Sequence, residues 1–279
     1  MSMPFYVAPE QVMKDRADYA RKGIARGRSL VSSVCADGIL ICAENPSNTL
    51  RKVSEIYDRI AFAGVGRYNE FDQLRIAGVR HADLKGFSFS REDVDARSLA
   101  NQYAQILGQI FTHEMKPMEV EILVAEVGVT AQRDQLYHIL YDGTVVDESS
   151  FCVLGGDAEA IAERLRGSWA PDLDLASALT GAVTALAGPD RRLGADDLEV
   201  ALLGRDNGRR TFGRLEDDEV AAILGDAGGD QTDGSTDGAG SPAAVPPSDD
   251  PVPGDGDATG QTPPVPPGSD DDPTAPPAS

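Results

Sequence analysis

The sequence predicts an α+β fold in which two antiparallel sheets pack face to face, with a pair of helices covering each outer side. Three observations carry this. Apolar runs of strand length come in blocks separated by pairs of helical patterns, in the order strands, two helices, strands, two helices, strands. Segregated blocks of that kind belong to layered α+β folds, whereas parallel sheets need alternating βαβ units. Neighbouring runs are joined by short turn signals, Asp37-Gly38, Asp58-Arg59 and Asp142-Gly143, which suit hairpins. Both blocks of helices follow a glycine-rich exit from a strand, Phe62-Ala63-Gly64-Val65-Gly66 and Val153-Leu154-Gly155-Gly156, which hints at an internal duplication.

The elements follow in order. Residues 9–27 read as a helix, with Pro9 in the first turn, Glu10 at the positive end and Gly27 as a stop. Val12, Met13, Tyr19, Ala20 and Ile24 fall on one side. Two apolar runs flank Asp37-Gly38, and a second strand pair spans Lys52–Tyr57 and Ile60–Val65. The period then becomes helical: Phe71, Leu74, Gly78 and Ala82 mark one helix. Ser90 with Asp93 is a capping pattern for the next, whose stripe is Leu99, Tyr103, Ile106 and Ile110. Strands resume at Glu119–Val127, Gln135–Tyr141, Thr144–Asp147 and Phe151–Leu154. Helices follow at Asp157–Arg166 and at Leu173–Ala187, which Gly188-Pro189 ends. Strands Leu198–Leu203 and Arg209–Arg214 and a short helix Glu216–Leu224 close the ordered part.

Composition divides the chain at that point. Residues 226–279 hold 11 Asp, 12 Pro and 9 Gly in 54 positions and no Lys, Arg, Leu, Ile or aromatic residue. Such a stretch cannot bury enough surface to offset ordering entropy, so it reads as a disordered acidic tail. The whole chain carries a net charge of −21, and residues 1–225 carry 25 basic against 35 acidic side chains. That acidity argues against general nucleic-acid or anionic-membrane binding. No apolar run reaches the ~18–20 residues of a membrane span. Cys35, Cys42 and Cys152 are odd in number and lack metal spacing, so a disulfide framework is not expected and a reducing cytoplasm is.

Few residues declare chemistry alone. Gly64-Val65-Gly66 has Asn69 where a dinucleotide fingerprint needs its third glycine, so a tight strand-to-helix crossing is the better reading. His81, His113 and His138 lack ligand spacing, and no metal or cofactor is expected. The basic residues at 14, 16, 21, 22, 26 and 28 are interleaved with Asp15 and Asp18, a pattern of a solvated helix face more than of a binding surface.

Residues 8–66, from PEQVMKDRADYARKGIARGRS through ENPS and KVSEIYDRIAFAGVG, resemble the α-type subunits of actinobacterial 20S proteasomes, of the threonine-peptidase type. The likeness runs on through LANQYAQILGQIFTHEMKP and covers most of residues 1–225. It implies the four-layer αββα sandwich of N-terminal nucleophile hydrolases and a barrel of stacked seven-membered rings, with β-type subunits inside. The implied partners are copies of the chain itself, those β-type subunits, and a proteasomal ring ATPase that presents tagged proteins. Peptide hydrolysis in that family needs an N-terminal threonine with a free amine. The first sheet strand here starts near Ser29, behind a long extension, so the chain is expected to be catalytically silent. An alternative is an active hydrolase unmasked by processing near Ser29; another is a stand-alone binding protein. Residues 1–8, with Met3, Phe5, Tyr6, Val7 and Ala8, are implied to gate an axial pore. Lys52, Gly27 and Gly66 match the pocket that receives the ATPase's C-terminal tail, which ends hydrophobic-Tyr-X.

Overall fold

The computed structural model describes residues 8–229. Among them the chain forms helix α1 (Pro9–Ile24), strands β1 (Leu30–Cys35), β2 (Gly38–Glu44), β3 (Val53–Tyr57) and β4 (Ile60–Gly66), then α2 (Tyr68–Ser88) and α3 (Ala96–His113). The second half holds β5 (Val120–Glu126), β6 (Gln135–Ile139), β7 (Val145–Glu148), β8 (Phe151–Leu154), α4 (Ala158–Arg166), α5 (Leu175–Ala187), β9 (Leu198–Gly204), β10 (Phe212–Leu215) and α6 (Asp217–Gly229). All pairings are antiparallel and give two five-stranded sheets, ordered β10-β9-β2-β1-β8 and β3-β4-β5-β6-β7.

Three cores bind these layers. Between the sheets lie Leu30, Val34, Ile39, Ile41, Ala63, Val65, Leu123, Leu136, Cys152 and Leu203. Outside one sheet, Phe62, Ile122 and Val124 meet Phe71, Leu74, Leu99, Tyr103 and Leu107 from α2 and α3. Outside the other, Val31, Leu40, Cys42 and Val200 meet Ile161, Leu165, Leu179, Val183 and Leu186 from α4 and α5, with Val220 of α6. Alternate residues of β1 and β2 therefore feed different cores. This is why those strands are buried along their whole length, Ser32 and Ser33 included, and do not alternate apolar with solvent-facing residues.

Several boundaries differ from the sequence reading, each for a local reason. Helix α1 stops at Ile24, three residues before Gly27, because the following N–H groups turn to tighter i→i−3 bonds, Arg26 N to Gly23 O and Gly27 N to Ile24 O. In the first hairpin Cys35 pairs with Gly38, so Ala36-Asp37 are the turn, and Gly38 serves the strand itself. Its φ of +145° brings its backbone against Leu203 O, leaving no room for a β-carbon. Ser90 caps only a short 3₁₀ turn over Arg91–Asp93, and α3 starts later, where Asp95 accepts from Ser98 N. The α3 stripe buries Leu107, while Ile106 and Ile110 are only half-buried. The last helix runs to Gly229, beyond the Leu224 end that composition suggests and past Asp226.

The two strand-to-helix crossings share one conformation: Gly66 ends β4 at φ +113° and Gly155 follows β8 at φ +119°. No βαβ unit surrounds Gly64-Val65-Gly66.

Candidate functional site

The β2–β3 connection delivers Lys52, and its sequence explains its shape. Asn45 Oδ1 accepts from Ser47 N at 3.3 Å, and Ser47 Oγ accepts from Leu50 N at 3.1 Å. Such side-chain turns at Asn and Ser set tight loops without secondary structure. Asn45 Nδ2 donates to Leu50 O and to Glu199 Oε2, both at 2.8 Å. The Asn and Ser of the ENPS signature thus form an internal scaffold.

Lys52 Nζ donates to Arg28 O at 2.6 Å and to Glu44 O at 3.0 Å, so the ammonium sits at the end of the sheets where α1 hands over to β1. Burial pulls the Lys52 ammonium down to about 8; Glu44 and Glu199 oppose that pull, while Arg28 adds to it. Glu44 is nearly sealed from solvent and accepts both Arg191 guanidinium nitrogens, at 3.0 and 3.1 Å, and Arg28 Nη1 at 3.3 Å. Glu199, with 1% of its side chain exposed, accepts Lys52 N at 2.8 Å, Val53 N at 3.2 Å and the Arg214 guanidinium.

Gly27, Gly66 and Lys52 come together here. A β-carbon on Gly27 would lie 2.9 Å from Gly66 N and from Val65 Cγ1, and one on Gly66 would overlap Glu119 O. Lys52 O accepts Gly64 N at 3.1 Å, and the Lys52 ammonium rests on the carbonyl next to Gly27. The result is the Lys52 ammonium beside closely packed backbone, with Arg28 and Arg191 nearby on Glu44, and an ammonium so placed can pair with a terminal carboxylate. Ala8 is exposed at the start of α1, its carbonyl accepting Gln11 N at 2.9 Å and Val12 N at 3.2 Å. Met3, Phe5, Tyr6 and Val7 lie outside the described residues.

Sequence reasoning singled out Lys52 but missed Glu44, Glu199 and Arg214. The one available signal was Glu199, an acid flanked by apolar residues in the strand Leu198–Gly204, since an unpaired charge there would be costly. The basic residues around α1 are partly engaged: Arg16 Nη1 donates to Phe111 O at 2.6 Å and Arg21 pairs with Asp18 at 3.4 Å. His81, His113 and His138 lie on α2, α3 and β6, and no cluster placed to hold a metal occurs among the described residues.

Ser29, where a processed nucleophile would begin, is buried; its Oγ lies in the space a β-carbon on Gly155 would take. Helix α1 closes that end, with Ala20 and Ile24 inside the core between the sheets.

Two antiparallel sheets face to face, helices outside both, and an extension helix over the entrance to the inter-sheet core define a proteasome-type subunit. A family model described as proteasome subunit matches residues 24–201, and the chain belongs to that family. A relative from Acidimicrobium ferrooxidans, named proteasome subunit alpha, is 66% identical over 226 residues, covering 81% of this chain and 97% of the relative. Others of that name come from Sanguibacter keddieii, 56% identical over 82% of this chain and 93% of the relative, and Actinosynnema mirum, 52% identical over 90% and 99%. Within the family the chain is an alpha-type subunit of the core particle.

Proposed function

We propose that the chain forms the outer seven-membered rings of a proteasome core, contributes no peptidase centre of its own, and docks a regulatory ring ATPase through its C-terminal tails. The observation that carries this is the convergence of the Lys52 ammonium with Gly27 and Gly66. A lysine held on two carbonyls gains from a carboxylate partner, and Gly27 and Gly66 let the chain's own backbone segments pack closely beside it. Residues 1–8 then serve as a gate on substrate entry, and docking at the Lys52 pocket biases its open state. Three unpaired, buried cysteines support a reducing cytoplasm. Neither a nucleic acid nor a membrane is a partner in this reading, in keeping with the net charge of −21.

The burial of Ala20 and Ile24 supports silence over the alternative of processing near Ser29. Cutting away α1 would open the core between the sheets, and while α1 stays no free amine stands at Ser29. N-terminal sequencing of the mature chain tests this: a start near residue 1 is expected, and a start at Ser29 would favour the hydrolase. For docking, Lys52→Ala in the assembled core is expected to leave the particle intact and to abolish ATPase-stimulated protein degradation. Stimulation that survives the substitution refutes the pocket.

A further inference from the structure

We propose that Glu199 is the positioning residue of the docking site: from the opposite sheet it fixes the backbone that carries Lys52 and supplies the negative charge that keeps a carboxylate-binding cation there. This rests on the reading of Lys52 given above and deepens it.

The geometry is that of a clamp. Glu199 lies on β9, in the sheet that contains β1 and β2, whereas Lys52 leads into β3 of the other sheet. Its two oxygens accept the consecutive N–H groups of Lys52 and Val53, at 2.8 and 3.2 Å, and Asn45 Nδ2 at 2.8 Å. Arg214 of β10 closes the far side, binding Glu199 with one nitrogen and Val53 O with the other at 2.6 Å. The carboxylate thus joins the start of one sheet to the edge of the other at the point where the Lys52 side chain leaves. Charge-assisted bonds to consecutive amides, made in a water-excluded site, set position firmly. Removing the acid would free the β3 entrance and leave Arg214 without its counter-ion.

The electrostatics give a signature that a merely structural residue would not. Charged groups facing the Lys52 ammonium come from five places along the chain: Arg28 before β1, Glu44 on β2, Glu199 on β9 and, behind the acids, Arg191 after α5 and Arg214 on β10. Since the free site titrates near 8, carboxylate binding weakens as pH rises through that value. Neutralising Glu199 lowers the midpoint, because an opposing charge is lost; neutralising Arg214 raises it, because the acid's charge is no longer offset.

The test is binding of a synthetic peptide ending hydrophobic-Tyr-X, with a free carboxylate or as its amide, to assembled core particles between pH 6 and 10. For Glu199→Gln the expected results are native particle mass, affinity about tenfold weaker at pH 7, and a midpoint displaced to lower pH. For Arg214→Gln the midpoint moves to higher pH. If both variants keep the wild-type affinity and midpoint while Lys52→Ala abolishes binding, Glu199 has no positioning role and the Lys52 reading stands. If Lys52→Ala binds as wild type and the amide binds as well as the acid, that reading falls and the proposal with it. Should Glu199→Gln fail to assemble, Arg214→Gln decides: an upward displacement supports the proposal and an unmoved midpoint overturns it.

Discussion

Gly66 and Gly208 both sit at positive φ, +113° and +73°, yet they differ in what surrounds them. A β-carbon on Gly66 would overlap Glu119 O, whereas none of the protein lies within 4 Å of one on Gly208. Gly208→Ala is therefore expected to cost about 1 kcal/mol, the conformational term alone. Gly66→Ala adds backbone displacement at the β4–β5 pair and should cost more than about 3 kcal/mol. Thermal unfolding of the two variants checks the difference, and equal shifts would refute the close approach. The same residue scale shows where sequence runs out. Lys52, Gly27 and Gly66 stand in a recognisable order along the chain, so a resemblance could bring them forward. Glu199 contacts Lys52 across 147 positions, and nothing local distinguishes its side chain from a solvent-facing acid except the apolar residues beside it.

Helix starts display the next scale. Two capping patterns follow each other before α3, and the first one in the sequence is not the one that begins the helix. Ser90 accepts from Glu92 N at 3.3 Å in a 3₁₀ turn, while Asp95 accepts from Ser98 N at 2.7 Å and pairs with Lys85 at 2.9 Å. Asp95→Ala should cost about 1–2 kcal/mol and Ser90→Ala less than about 0.5 kcal/mol. Burial raises the Asp95 carboxyl, but Lys85 and Ser98 more than offset this and hold it below its ordinary range. A lowered carboxyl stabilises the fold above its unfolded pKa and loses that contribution as pH falls through the folded value. The gap between wild type and Asp95→Ala measured by urea unfolding should accordingly shrink below about pH 4; a gap unchanged at pH 3 would mean that the carboxylate charge does not matter. Helix α1 argues the same way for burial. Ile24→Ala removes a side chain from the inter-sheet core and should cost about 2–4 kcal/mol. The sequence showed this helix and an apolar side of Val12, Met13, Tyr19, Ala20 and Ile24; Ala20 and Ile24 are buried, whereas Met13 and Tyr19 are exposed. The sequence could not show that the buried pair closes the mouth between two sheets, since that depends on strands far along the chain.

At the scale of the molecule, layer order was legible because blocks of strands and helices alternate, while the sharing of strands between cores was not. Strands β1 and β2 place Leu30, Val34, Ile39 and Ile41 between the sheets, and Val31, Cys35, Leu40 and Cys42 against α4 and α5. One sheet therefore forms a wall of two cores, and unfolding that sheet opens both. The three cysteines report on this directly. Cys152 belongs to the core between the sheets, Cys35 and Cys42 to the outer one, and all are free and buried. Burial pushes the Cys42 thiol up to about 12 and raises Cys35 and Cys152 as well, so native protein should resist alkylation even at pH 8. Across a guanidinium titration, mass spectrometry of alkylated peptides should find Cys152 and Cys42 becoming reactive in one transition. Labelling of Cys152 at lower denaturant, with Cys42 still protected, would mean that the sheets separate before the helical layer leaves. A sheet buried on both faces predicts the opposite, because losing either layer exposes apolar side chains of the same two strands and removes the support of the other layer.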